Sequence, residues 1–210
     1  MKIDCFVLGA FETNCYVLRS SETAGDCLII DPGDGAGRLL GFIKGHNLNP
    51  VAVILTHGHI DHIGSVAELR DSYPDIKVYV HGLDAGMLEN AHSNLSAMMG
   101  GAFSTVPADF YLEDGSVVEQ GGVKLTVLHT PGHTPGGICL YSKDEGVVFT
   151  DDTLFAESIG RTDFPGGSLK QLLKGIKEKL LTLPDDTIVH PGHGPSTTVG
   201  LEKAHNQFLQ

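Results

Sequence analysis

Basic side chains are scarce in this 210-residue sequence. It contains 14 lysines and arginines against 26 aspartates and glutamates, which gives a formal net charge of −12 at pH 7. Proteins that bind nucleic acid need a basic face, and the densest basic stretch here, residues 170–179, has the pattern of a solvated helix face. The composition therefore argues against nucleic acid as a partner. A small anionic substrate is not excluded, because local charge at a site can outweigh the global charge.

Long apolar runs are also missing. No run approaches the roughly 20 residues of a membrane-spanning helix. The opening residues, Met1 to Phe6, carry an early aspartate and lack the apolar core of a signal peptide. We therefore expect a cytoplasmic protein without membrane association. The length fits one domain over residues 1–210, while the oligomeric state does not follow from the sequence.

Cysteine pairs of the C-x-x-C type are absent. The four cysteines are Cys5, Cys15, Cys27 and Cys139, and each lies in an apolar, strand-like stretch. A disulfide framework is unexpected in a chain of this length with a cytoplasmic start. We expect all four to be free and buried as small apolar residues.

Short apolar and β-branched runs predict strands, and apolar residues at helical spacing predict helices. The first half predicts strands at 3–8, 16–19, 27–30, 51–55 and 76–80 and helices at 38–46 and 63–73. The second half predicts strands at 123–128, 138–141, 147–149 and 187–190, and a terminal helix at 201–208. A further helix begins at Ser168, which forms a capping box with Gln171. Residues 81–110 are less periodic and predict a loop with a short helix near 84–90.

The two halves of the sequence echo one another. Ile29-Ile30-Asp31 resembles Val148-Phe149-Thr150-Asp151, and Pro-Gly-His occurs at 131–133 and again at 191–193. The echo indicates two strand-rich halves with helices on the outer face of each. We therefore predict an α/β fold, a four-layer αββα sandwich, with ligand-binding residues gathered at the strand ends along one edge.

Three histidines and an aspartate lie within six residues, in the run Thr56-His57-Gly58-His59-Ile60-Asp61-His62. The preceding strand delivers the chain into this run, and alternate residues of extended backbone point the same way. His57, His59 and Asp61 are thus expected to converge on one side, with His62 aimed elsewhere, and Gly58 allows a tight turn. Imidazole and carboxylate ligands suit zinc, iron or another first-row metal.

Three further candidates follow strands in the second half: His133, Asp152 and His193. They complete the ligand set of a two-metal site. In this prediction His57, His59 and His133 bind one metal, Asp61, His62 and His193 bind the second, and Asp152 bridges them.

The ordered set from His57 to His193 resembles that of the metallo-β-lactamase superfamily. The phrases at 130–136, 160–164 (Gly-Arg-Thr-Asp-Phe) and 191–195 resemble its glyoxalase II (hydroxyacylglutathione hydrolase) branch, in a short bacterial form. The likeness runs from about residue 11 to the C-terminus and is weakest at 82–110. It implies the αββα fold, two divalent metal ions (zinc, with iron or manganese in some relatives) and Asp31 as a residue that steadies the metal loops.

The predicted activity is thioester hydrolysis of the S-hydroxyacyl-thiol type, with a small-molecule substrate such as S-lactoylglutathione. Two metals can lower the pKa of a shared water to near 7, so that metal-bound hydroxide attacks the carbonyl carbon while one metal polarises its oxygen. Asp61 is the candidate catalytic residue that orients the hydroxide and takes its proton. A thiolate leaves with little acid assistance.

Departures from the family pattern keep alternatives open. Asp151 stands where glycine is usual before the bridging carboxylate, so Asp151 is an alternative to Asp152 as the bridging residue, although the register favours Asp152. Only 17 residues follow His193, and Gly137 stands where many relatives have histidine. Arg161 is either an anion contact or the ion-pair partner of Asp163. The alternative functions are a mononuclear iron persulfide dioxygenase of the same fold and a non-catalytic metal-binding module.

Overall fold

The strands of the amino-terminal half form one six-stranded mixed sheet in the computed structural model, which describes residues 1–210. The first three strands pair antiparallel, and the third to the sixth pair parallel. In sheet order they are β1 (Lys2–Leu8), β2 (Thr13–Arg19), β3 (Asp26–Ile30), β4 (Asn49–Ile54), β5 (Lys77–His81) and β6 (Phe110–Leu112).

Helices α1 (Ala36–Gly45), α2 (Ile60–Ile63) and α3 (Val66–Ser72) belong to the same half. Leu39 and Ile43 of α1 are fully buried in one cluster with side chains of β3, β4 and α3. Burial of each such side chain stabilises the fold by about 1.5–3 kcal/mol. The helical spacing of apolar residues therefore predicted the buried face of α1 correctly.

The helix predicted over 63–73 is interrupted. Helix α2 ends at Ile63, where the predicted helix begins, and α3 starts only at Val66, after Gly64 and Ser65. The Ser65 backbone N–H donates to the carbonyl oxygen of Pro32 at 2.9 Å, and its hydroxyl donates to the carbonyl of Gly33. These tertiary hydrogen bonds replace helical ones, so a continuous helix cannot form.

The second sheet also has six strands, in the order β14-β13-β10-β9-β8-β7. Strand β9 pairs antiparallel with β8 and β10, while β10 pairs parallel with β13. The strands are β7 (Val117–Gln120), β8 (Val123–His129), β9 (Ile138–Ser142), β10 (Val147–Asp151), β13 (Ile188–Pro191) and β14 (Thr197–Thr198), and a two-stranded ribbon is formed by β11 (Leu154–Phe155) and β12 (Ser158–Ile159).

Helix α4 (Leu169–Gly175) continues as a π-helical segment, Ile176–Leu180, and α5 (Val199–His205) follows β14. Leu172, Ile176 and Leu180 are fully buried together with apolar residues of β9, β10 and β13. The chain divides into two compact units, residues 1–112 with 118–124 and residues 113–117 with 125–210.

The predicted capping box at the start of α4 is only half formed. The Ser168 hydroxyl accepts a hydrogen bond from the Gln171 backbone N–H at 3.4 Å. The Ser168 N–H donates instead to the carbonyl of Gly132 at 2.8 Å. The start of α4 is thus fastened to the Pro-Gly-His turn that precedes His133.

The echo between the halves extends to backbone conformation. Asp31 follows β3 with φ 48°, and Asp151 ends β10 with φ 46°. Aspartate is one of the few residues besides glycine that occupy this left-handed region readily. The left-handed conformation at the end of β10 is therefore compatible with an aspartate at position 151.

Several elements differ from the sequence prediction. Strands β6, β7, β11, β12 and β14 were not predicted, because runs of two to four residues carry too little periodicity to be recognised. The terminal helix begins and ends earlier than predicted, and the helix predicted near 84–90 is a three-residue 3₁₀ turn, Ala85–Met87.

The cysteine prediction is confirmed for pairing and wrong for one position. All four thiols are free, and Cys15, Cys27 and Cys139 are buried, whereas Cys5 on the edge strand β1 is exposed. Burial raises the pKa of the Cys27 and Cys139 thiols to about 12. These two thiols therefore act as small apolar side chains at neutral pH. No helix has the length and apolar character needed to cross a bilayer.

Candidate metal centre

The amino-terminal cluster consists of His57, His59, Asp61 and His62. His57 Nε2 lies 3.0 Å from His59 Nδ1, and the ring centroids of His57 and His62 are 4.2 Å apart. His62 Nε2 lies 3.3 Å from Asp61 Oδ2. All three histidines are buried, so the cluster is a tight group of imidazoles with a carboxylate at one end.

Strand alternation explains only part of this cluster. It brings His57 and His59 together, as expected for residues two apart in extended backbone. The chain turns helical at Ile60, and His59 is the N-cap residue of α2. Asp61 and His62 therefore lie on the first helical turn, and the prediction that His62 points away from its neighbours is wrong.

The buried Asp31 carboxylate contacts the amino-terminal cluster. Because β3 and β4 are parallel neighbours, Asp31 and Thr56 emerge at the same edge of the sheet. The Asp31 carboxylate accepts hydrogen bonds from the Thr56 N–H at 2.8 Å and from the Thr56 hydroxyl at 2.6 Å. Its Oδ2 also lies 3.3 Å from His62 Nδ1. An acceptor at Nδ1 holds the proton there and leaves Nε2 as a lone-pair donor.

Gly58 is required for space. Its φ is not in the left-handed region. A Cβ atom at this position would lie 2.5 Å from Met87 Cβ and 3.2 Å from the carbonyl oxygen of Asp84. The 3₁₀ turn Ala85–Met87 therefore packs directly on the backbone between the two histidines.

We predict that Gly58→Ala lowers the free energy of unfolding by about 1–3 kcal/mol, since the added methyl group overpacks this contact. Urea denaturation of the metal-free protein measures the effect. Gly86→Ala is the matched control, because a Cβ at Gly86 meets nothing within 4 Å. Equal stability of the two variants would contradict the proposed close approach.

The carboxy-terminal cluster consists of His133, Asp152 and His193. Asp152 Oδ2 lies 3.4 Å from His133 Nε2, and Asp152 Oδ1 lies 3.5 Å from His193 Nε2. The three residues follow β8, β10 and β13, whose carboxyl ends meet at one edge of the second sheet because these strands run parallel. The carboxylate thus presents one oxygen to each imidazole, which is the arrangement that a bridging ligand needs.

The Gly160–Phe164 segment braces this cluster. A Cβ atom on Gly160 would lie 1.8 Å from the carbonyl oxygen of Asp152, so only glycine allows this approach. The next carbonyl, that of Arg161, lies 2.8 Å from His133 Nδ1 and directs Nε2 toward Asp152. The sequence motif at 160–164 was recognised, but its backbone role was not.

The Arg161 guanidinium pairs with Asp163 at 2.8 and 2.7 Å and lies 3.9 Å from the Phe164 ring centroid. This ion pair lowers the pKa of Asp163 to about 2 and raises that of Arg161. Of the two roles considered for Arg161, the geometry shows the ion pair.

Two positioning residues near the C-terminus were missed by the sequence analysis. The buried Glu202 carboxylate accepts hydrogen bonds from the Glu157 N–H at 2.9 Å and the Thr197 hydroxyl at 2.7 Å. The Asn206 side chain donates to Glu202 at 2.8 Å and to the Ser158 carbonyl at 3.0 Å. Together they anchor the β11–β12 ribbon, which lies between Asp152 and Gly160 in the sequence. The sequence around Glu202 does not distinguish a buried carboxylate from a solvated one, because a short helix carries little periodicity.

The donor set fits a transition-metal site. Histidine ligands to first-row metals are usually grouped with carboxylates and hydrogen-bonded through the ring nitrogen that does not bind the metal. Here Asp31 holds Nδ1 of His62, and the Arg161 carbonyl holds Nδ1 of His133. Thr13 was not predicted as part of the site, and its hydroxyl donates to Asp61 Oδ2 at 3.5 Å.

Comparison with known proteins agrees with this geometry. The family model of the metallo-beta-lactamase superfamily matches residues 8–193. The chain is 36% identical to hydroxyacylglutathione hydrolase GloC of Haemophilus influenzae, over 100% of this chain and 98% of that protein.

Two solved structures are also similar. BLEG-1, described as a B3 metallo-beta-lactamase, is 42% identical with a TM-score of 0.94, and the match covers 100% of both chains. TTHA1623, solved in a di-iron-bound form, is 39% identical with a TM-score of 0.87, over 98% of this chain and 100% of that one. The predicted fold class is confirmed, and the chain belongs to the metallo-β-lactamase superfamily, in its glyoxalase II-like branch.

Proposed function

We propose that the protein is a metal-dependent hydrolase that cleaves thioesters of the S-hydroxyacyl-thiol type at a dinuclear centre. The observation that carries this proposal is the presence of two His/Asp clusters, each gathered at the carboxyl edge of its own sheet. They occur in a chain that aligns over its full length with a hydroxyacylglutathione hydrolase. The substrate class comes from that relative.

In this proposal the ligands divide as the sequence predicted. His57, His59 and His133 bind one metal, Asp61, His62 and His193 bind the other, and Asp152 binds both. The di-iron form of TTHA1623 supports two metals per chain. Zinc, iron and manganese all suit this imidazole and carboxylate set.

When bound, the two metals supply Lewis-acid chemistry, lowering the pKa of water toward 7 and polarising the scissile carbonyl. The chain supplies orientation and proton transfer. The Thr13 hydroxyl lies 3.5 Å from Asp61 Oδ2 and helps to hold this carboxylate, which would orient the attacking water and accept its proton. The leaving thiolate needs no proton from the protein, since a thiol has a pKa of about 8.5.

A paired measurement tests the proposal. The protein is purified without added metal and analysed for elements, and release of thiol from an S-lactoyl thioester is followed in parallel. We expect about two metals per chain, as a two-metal site requires, together with hydrolysis that Asp61→Asn strongly reduces. One iron per chain, with oxygen uptake on a persulfide and no hydrolysis, would establish the dioxygenase instead.

β-Lactam hydrolysis is a second candidate, because the similarity to BLEG-1 extends over the whole of both chains. A chromogenic cephalosporin assayed with the same preparation separates the two activities. A kcat/KM for the cephalosporin above that for the thioester would assign the β-lactam as the preferred substrate. Metal-loaded protein that hydrolyses neither compound would support a non-catalytic metal-binding module.

A further inference from the structure

A cavity of about 320 Å³ opens in the amino-terminal unit beside Asp61. This volume falls within the range of small-molecule sites. The lining residues come from the β1–β2 connection, the β3–α1 loop, the start of α2 and the segment 96–103. They include Leu8, Phe11, Ile60, Asp61, Met99 and Phe103.

The chemistry of the lining is apolar with acidic groups. Two carboxylates, Asp34 and Asp61, border the cavity, and the lining contains no lysine, arginine or histidine. Phe11 and Met99 are about half exposed, at 51% and 55%, so apolar surface is available at the entrance. Asp34 is the carboxylate that lies outside the proposed metal-ligand set, so the apolar lining favours an uncharged, apolar group and Asp34 disfavours an anionic one.

The far wall of the cavity is fixed by hydrogen bonds within the irregular segment. The Asn94 side chain donates to the Phe103 carbonyl at 3.1 Å, and the Phe103 N–H donates to the Ser96 hydroxyl at 3.1 Å. The Gly101 N–H donates to the Ser96 carbonyl at 3.0 Å. The cavity is therefore preformed.

Because Asp61 borders the cavity, a group held there lies next to the atoms that react in the proposed hydrolysis. We propose that this cavity binds the acyl chain of the substrate, and that it selects 2-hydroxyacyl groups with an uncharged, apolar, branched or extended chain. This inference rests on the proposed function and specifies its substrate class. A thiol that carries carboxylates, such as glutathione, is disfavoured in the cavity by the apolar lining and by Asp34.

A series of acyl groups on one neutral thiol, N-acetylcysteamine, tests the preference. The acids are lactic, 2-hydroxybutanoic, 2-hydroxy-4-methylpentanoic and malic acid, the last joined through the carboxyl next to its hydroxyl. The 2-hydroxy-4-methylpentanoyl and malyl groups have the same number and connectivity of heavy atoms, but only the malyl group carries a charge. We expect kcat/KM to rise up to about fourfold for each added methylene. For the malyl group we expect kcat/KM to be at least about tenfold lower than for its uncharged counterpart, a 1.4 kcal/mol difference that arises from Asp34 and the apolar lining.

Two neighbouring methionines provide a matched pair of variants. Met99 lines the cavity, whereas Met98 is 72% exposed and does not. Met99→Ala should remove most of the preference for 2-hydroxy-4-methylpentanoyl over lactoyl, and Met98→Ala should retain it. Gly101→Leu, which has room for a Cβ, should fill the cavity and reduce kcat/KM for the long acyl group only.

A charge substitution tests the electrostatic part. Asp34→Lys should raise kcat/KM for the malyl thioester relative to its uncharged isostere by about tenfold or more, by replacing repulsion with attraction. Asp71→Lys makes the same change of charge at an exposed position on α3 outside the lining. It should leave the ratio unchanged.

Binding is measured separately by calorimetry on the metal-loaded protein, with a ketone analogue in which a methylene replaces the thioester sulfur. Weaker binding by Met99→Ala and not by Met98→Ala supports the proposal. The proposal would be overturned, with the hydrolase function intact, if kcat/KM were equal across the acyl series. It would also be overturned if kcat/KM rose with the apolar size of the thiol and not with that of the acyl group. Metal-loaded protein that hydrolyses no thioester would instead remove the proposed function.

Discussion

Asp152→Ala is expected to abolish thioester hydrolysis and to lower the metal content from two per chain. The Asp152 carboxylate lies between His133 and His193 with one oxygen toward each, so its removal takes a ligand from both proposed metal positions. Loss of a group that only supports a metal ligand costs roughly 10–100-fold in affinity or activity. The loss of the bridging ligand should exceed that range, as measured by kcat/KM and by elemental analysis after dialysis.

Asp186→Ala is the control, because this substitution removes the same charge from an exposed aspartate of the same unit. Asp152→Asn keeps the shape and one acceptor oxygen, and it should recover part of the metal binding without full activity. Urea denaturation of the metal-free variants verifies that they fold. An Asp152→Ala protein with full metal content and activity would remove Asp152 from the ligand set and with it the proposed bridging role.

Asp31→Ala is expected to destabilise the protein by on the order of 3 kcal/mol and to weaken metal binding roughly 10–100-fold. The stability loss follows from leaving the Thr56 N–H and hydroxyl without their buried acceptor. Alanine also tolerates the φ of 48° poorly at this position. The loss of metal affinity follows from His62, whose Nδ1 loses the carboxylate that fixes its tautomer.

Asp31→Asn separates these effects. Asparagine tolerates the positive φ and still offers an acceptor to the Thr56 N–H, so most of the stability should return. Its amide cannot accept at both oxygen positions, so the weaker metal binding should persist. The measurements are urea denaturation of the metal-free protein and competition with a metal chelator. Asp75→Ala, at an exposed position of the same unit, should change neither. Normal metal affinity in Asp31→Asn would show that Asp31 acts on the fold alone.

The two clusters have the same structural features. In each unit the chain leaves parallel strands at their carboxyl ends, where backbone groups are no longer used by the sheet and side chains can gather. Asp31 and Asp151, which end the echoed sequence segments, have nearly equal φ, 48° and 46°. In both clusters a histidine has its Nδ1 held by an acceptor, Asp31 in one and the Arg161 carbonyl in the other. This arrangement frees the Nε2 atoms for ligation.

The sequence by itself determined the long, periodic elements and the candidate ligands. Helix α1 and strands β3, β4 and β10 follow from local periodicity, which a single chain segment carries. The dense His-Asp run at 57–62 and the spacing of His133, Asp152 and His193 were sufficient to indicate the family. The positive φ at Asp151 could be anticipated from the chemistry of aspartate.

Tertiary structure decided what depends on contacts between distant segments. Ser65 interrupts a helix because it bonds to the chain at Pro32, and Gly58 is required because the turn at Met87 packs on it. The anchoring of the β11–β12 ribbon by Glu202, and the apolar cavity that segment 96–103 completes beside Asp61, likewise have no local signature. Periodicity and residue type record what a segment buries, whereas hydrogen bonds and steric limits between segments exist only once the chain has folded.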